Sequence, residues 1–361
     1  ALAHLAGVPG ADSLAASGLA ALAGRYEDPQ NGGWFSAIDS AGRIVDATKS
    51  NYAHAHALLA ASRALAAGIP GAAEALAAAV AAIERHFWSD AEGCALESWN
   101  AGFTELEPYR GANSNMHSVE AYLAAADVTG HPVWAARAAS IATRLIDGYA
   151  RAHRWRIPEH YDQGWQPVPD YNLDRPADQF RPYGTTPGHS FEWARLLLAL
   201  EAAQPAPPGW LLEAATGLFD VAVVDAWHRD AHPGLIYTVG PDGQPVVTAR
   251  LHWVACEAVL AADALHRRTG EERFATAAAQ WWAEIDRYFL DRENGGWWQE
   301  LDPDPLQGLI PAASTWSGKP DLYHSYQALL FPSLPLSPTA ATALARRGSA
   351  AGLSRATRRR R

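Results

Sequence analysis

Histidine recurs in this chain with a carboxylate or amide three residues behind it. His117 leads Glu120, His189 leads Glu192 and His324 leads Gln327, while His252 stands ahead of Glu257. Residues i and i+3 share one face of a helix, so each pair points one way. Several such faces turned to one cavity would line it with groups that titrate near neutral pH. This is equipment for proton transfer on a polar substrate. His117, His189 and His324 close the polar segments RGANSNMH, RPYGTTPGH and GKPDLYH, each at an expected helix N-terminus. The helix dipole there favours a neutral, basic imidazole. His54 and His56 lie two apart and cannot share a face; each fits a packing role as well as a chemical one.

Other polar residues cluster near these histidines. Arg110 and Arg181 precede His117 and His189. Such guanidinium groups suit sugar hydroxyls or a developing enolate oxygen, or else a surface ion pair. Asn113 and Asn115 fit sugar contacts or helix caps. The 15 Trp fall largely in turns, as Trp34, Trp88, Trp297 and Trp298 do, where rim packing accounts for them. Trp253 and Trp316 stand beside candidate polar residues and are better placed for a ligand wall. A metal site is the rival reading, but each helix offers one His and at most one acid, fewer carboxylates than di-iron bundles use. No phosphate loop, nucleophile elbow or Cys-His nucleophile signature is present. The expectation is a site with neither metal nor cofactor.

What positions these residues is a repeated unit. RYEDPQNGGWFSAID from Arg25, RHFWSDAEGCALESW from Arg85, DAWHRDAHPGLIYTV from Asp225 and RYFLDRENGGWWQEL from Arg287 each join an aromatic helix end, a polar turn and a short β-like stretch. HRWRIPEHYDQGWQP from His153 fits between the second and third. Each unit leads into an inner helix, expected over 47–67, 113–129, 187–203, 248–269 and 319–331. Outer helices are expected over 72–88, 132–152, 208–227, 271–290 and 338–350, after one opening helix before Arg25. A helical hairpin cannot bury its apolar face alone, so a closed ring of hairpins is favoured over an open solenoid.

Composition agrees. With 361 residues, 48% of them hydrophobic, the chain can bury a large core, and its Ala and Leu favour helices. The formal net charge of -10 argues against nucleic acid as a partner. The Arg358–Arg361 run reads as the end of a solvated tail, 351–361. Cys94 and Cys256 suit a reduced, cytoplasmic protein. No apolar stretch reaches membrane-spanning length, and the Ala-rich opening lacks the basic start of a signal peptide.

The runs YRGANSNMHSVEAYLAA, EHYDQGWQPVPDYN, FRPYGTTPGHSFEWARLLLALE and GKPDLYHSYQALL resemble the N-acylglucosamine 2-epimerase superfamily. The likeness extends over about residues 25–335 and is greatest to its mannose isomerase and sulfoquinovose isomerase branch. The resemblance implies an all-α, six-hairpin (α/α)6 barrel over residues 1–350, one helix more than the reading above supplies. It implies metal-free interconversion of an aldose with its ketose, or epimerisation at C2 of a monosaccharide. By motif, His189 and His324 match the acid/base pair and His117 the residue associated with pyranose opening. Asn113, Arg181, Glu192 and Glu257 match sugar-facing or orienting positions, with Trp253 and Trp316 expected as walls. One departure concerns the sugar. Branch members carry an arginine on the first inner helix, where this chain reads KSNYAHAHALL and His54 is the nearest stand-in. The expected reaction is D-mannose to D-fructose through a cis-enediol, with 2-epimerisation or sulfoquinovose isomerisation as alternatives. A glycoside hydrolase, needing paired carboxylates, or a non-catalytic sugar-binding protein fits less well.

Overall fold

A computed structural model describes residues 1–347. The expected basic tail, 351–361, lies outside the described residues. Secondary structure is mainly helical, with short two-residue to five-residue strands between helices. The described residues form two compact units, one of Ala1–Ala142 with residues 337–347, the other of Thr143–Leu336.

In the first unit, α1 (Leu2–Leu5) and α2 (Ala11–Ala21) replace the single opening helix expected from the sequence. The break falls at Gly7-Val8-Pro9-Gly10, where Pro9 cannot donate to a helix and Gly10 takes φ 76°. Next come α3 (Asn51–Ala66), α4 (Ala72–Ala82), α5 (Ala112–Thr129) and α6 (Pro132–Ala142). A helix begins again at 340 and is described to 347. Ser50 caps α3 by accepting from the Ala53 N–H.

The second unit holds α7 (Pro187–Ala202), α8 (Trp210–Ala226), α9 (His252–Thr269), α10 (Glu272–Glu284) and α11 (Tyr323–Leu330). Pro187 opens α7 at a position where its missing N–H costs nothing. Phe191 of α7, Phe219 of α8 and Phe274 and Trp281 of α10 meet edge-to-face or tilted, with centroids 5.0–5.7 Å apart. That aromatic cluster fixes the helix carrying His189 from behind.

The repeat read from the sequence is present in both units. Aromatic helix ends close as π-helical turns at Leu22–Tyr26, Ile83–Phe87 and Ile285–Phe289. Antiparallel pairs follow: Glu27 with Trp34, Trp88 with Ala95, Tyr161 with Pro167, Trp227 with Leu235, and Leu290 with Trp297. Among the described residues no helix is long and apolar enough to cross a membrane.

Candidate active site

Two imidazoles of the second unit stand close to one indole. His189 lies in the first turn of α7 and His324 in the first turn of α11. Their rings lie 5.3 Å and 5.6 Å from that of Trp253, near the start of α9. Gly188 makes the first approach possible. A Cβ there would sit 2.5 Å from the Trp253 ring, so any other residue would displace the indole or α7.

Both imidazoles are oriented by buried carboxylates. His189 Nδ1 donates to Glu159 Oε1 at 3.0 Å, and His324 Nδ1 donates to Glu257 Oε1 at 2.9 Å. An ionised carboxylate only accepts, so Nδ1 carries the proton, and the neutral tautomer of each ring leaves Nε2 as its base. Glu257 is wholly buried, which alone would raise its pKa. The Arg195 charge and the His324 hydrogen bond outweigh that and hold the carboxyl below its usual value. Arg195 Nε donates to Glu257 Oε2 at 3.0 Å, while its Nη2 reaches Glu192 Oε1 at 3.4 Å. A chain of charge therefore runs from Glu192 through Arg195 and Glu257 to His324.

The remaining expected residues of this unit lie on loops. Arg181 Nη1 donates to the Tyr171 hydroxyl at 3.3 Å. Tyr171 also stacks on His160, whose ring nitrogen Nε2 bonds the Pro182 carbonyl. Burial, the largest influence, lowers the His160 pKa against the opposing pull of the Pro182 hydrogen bond and the Glu159 charge. Trp316 is half-buried, with its ring edge-on to Phe180 at 5.5 Å. Its backbone N–H donates to Glu300 at 2.6 Å.

In the first unit, α5 carries Asn113 one turn ahead of His117. His117 Nδ1 lies 4.0 Å from Glu120, which takes an ion pair from Arg63 at 2.8 Å. The rings of His56 and Tyr52 flank His117 at 4.5 Å and 5.0 Å. Three expectations are corrected here. Arg110 is buried and forked onto Glu92 at 2.8 and 2.9 Å, so it anchors the hairpin and is not a hydroxyl ligand. His54 is sealed between the Ser50 carbonyl and the Trp34 N–H, at 2.7 and 3.1 Å, and does not stand in for an arginine. Asn115 is neither a sugar contact nor an N-cap, since its amide clamps both backbone groups of Ala95.

A model of the family described as N-acylglucosamine 2-epimerase matches residues 1–328. The chain belongs to the N-acylglucosamine 2-epimerase family. It is 52% identical over 345 residues to a D-mannose isomerase of Thermobifida fusca, an alignment covering 96% of this chain and 84% of that one. A D-mannose isomerase of Pseudomonas cannabina pv. alisalensis is 48% identical, over 96% and 83% of the two chains. A solved D-mannose isomerase structure matches with a TM-score of 0.78 at 32% identity, covering 88% of this chain and 79% of that one. The fold class is thus the (α/α)6 one that the resemblance implies.

Within this family member, sequence reasoning missed Glu159, Arg195 and the flanking ring of Tyr52. Glu159 opens the quoted EHYDQGWQPVPDYN run, but a loop residue thirty positions from His189 carries no periodic signal. Arg195 did carry one. His189, Glu192 and Arg195 step by three along a helix otherwise rich in Leu and Ala.

Proposed function

We propose that this protein is a D-mannose isomerase, interconverting D-mannose and D-fructose by histidine acid–base chemistry. The observation that carries the reading is the pair of carboxylate-held imidazoles, His189 and His324, both close to Trp253. Relatives of that activity at 52% and 48% identity support it. On this reading, one imidazole Nε2 takes the proton from C2 of the open-chain aldose while O1 gains one, giving a cis-enediol. A proton then returns to C1 as O2 loses its own, and the ketose results. Each positioned acid or base contributes about 10²–10⁴-fold. Arg181 holds the enediolate oxygen, and Trp253 and Trp316 pack on C–H faces of the sugar. His117 with Asn113 takes the ring-opening role that the resemblance assigns. The sulfonated sugar is disfavoured, because His54 is spent on Ser50 and Trp34 and does not take the place of the branch's arginine.

D-mannose in D₂O followed by NMR tests the proposal. Fructose deuterated at C1 is expected, with turnover undiminished by EDTA, and no C2 exchange in His189→Ala or His324→Ala. Glucose as the product would make the enzyme a 2-epimerase. Full C2 exchange in either variant would remove that histidine from the mechanism.

A further inference from the structure

His252 opens α9 beside Trp253 and is only 3% exposed, yet among the described residues neither of its ring nitrogens has a hydrogen-bond partner. Its neighbours differ in this respect. His54, equally hidden, has both nitrogens bonded, and His189 and His324 each hold a carboxylate. The His252 ring stands edge-to-face with that of His324, with centroids 6.2 Å apart. A buried polar group left unmet costs about 1–3 kcal/mol, which an apolar side chain at this position would avoid. Burial first, then the His324 charge, pushes its pKa down to about 3, so the ring is neutral at working pH. A neutral imidazole offers one donor and one acceptor, the complement of an alcohol, which also offers both.

We infer that His252 binds a hydroxyl of the open-chain sugar, next to the carbons served by His324, and so helps decide which aldoses are accepted. The inference rests on the isomerase reading. Conversion of D-mannose by the unmodified enzyme tests that reading by itself, and only the comparisons below bear on His252. In His252→Leu, KM for D-mannose should rise about tenfold, the fold-change of one neutral hydrogen bond, while Tm stays level or rises. His252→Gln, which keeps a donor and an acceptor, should recover part of that KM. A series of monodeoxy mannoses then locates the contact. One of them should lose about tenfold against D-mannose with the unmodified enzyme and lose nothing further with His252→Leu. A lower Tm with KM unchanged in His252→Leu would make the residue structural and overturn the inference. So would equal losses across the whole deoxy series in both enzymes.

Discussion

A carboxylate behind an imidazole does two things that a neutral partner cannot: it selects the tautomer and stabilises the imidazolium formed when the ring takes a proton. Glu159 and Glu257 are so placed behind His189 and His324. Glu159→Gln and Glu257→Gln should therefore lower kcat for mannose by about 10²-fold or more with little change in KM. Glu257→Gln should also lose stability, because it leaves the buried Arg195 facing a neutral amide. Glu192→Gln should cost His189 far less, since its carboxylate reaches Arg195. Steady-state kinetics on the three variants checks the order, and a Glu192 effect as large as that of Glu159 would contradict it. The histidines themselves were legible in the sequence because helical spacing and polar flanks mark them. Their orienting acids were less so. Periodicity places Glu192 on the face of His189, but only the return of a distant loop brings Glu159 to Nδ1.

At the scale of elements, hairpins are fixed to helices by buried polar side chains, and equivalent positions repeat the same solution. Asp28 accepts from Gln30 and Asn31 and pairs with Lys49, which lies over the Phe35 ring. Asp291 accepts from Glu293 and Asn294 and pairs with Lys319, which lies over Trp298. The repeated turn was readable in the sequence because NGGW occurs twice. The lysines were not, because each lies well downstream of its turn at a different distance. Glu300 is the fixing residue nearest a proposed ligand wall. Its buried carboxylate accepts from the backbone N–H of Ser314, Thr315 and Trp316, and from the Ser314 hydroxyl. In Glu300→Gln an amide N–H₂ replaces one accepting oxygen and meets those donors head-on. Stability should fall by about 1.5–3 kcal/mol, and KM for mannose should rise as the Trp316 loop loses its anchor. Thermal denaturation and kinetics together check this, and an unchanged Tm would show that the loop is held by other contacts.

Across the whole molecule, buried histidines shape the response to acid. His54 and His252 lie in different units, and burial pushes each pKa down from about 6.5 to about 3. Between those values the unfolded chain binds protons that the folded chain refuses. Their contribution is therefore intact above about pH 6.5 and is lost as pH falls toward about 3, by up to roughly 1.4 kcal/mol per pH unit for each. Asp28 and Asp291, held down to about 2, act in a lower window, losing their contribution as pH drops from about 4 toward 2. Net charge does not explain the first window. With a formal charge of -10 and 14 histidines, the first protons taken up reduce self-repulsion. His54→Leu separates the two effects. It orphans the Trp34 N–H, so it should be less stable than the unmodified protein at pH 7.5 by about 1–3 kcal/mol. It also removes one titrating group, so its Tm should fall less steeply below pH 6.5 and the two curves should converge near pH 4.5. Parallel curves across that range would mean that His54 is protonated in the folded state, and that the acid sensitivity arises elsewhere.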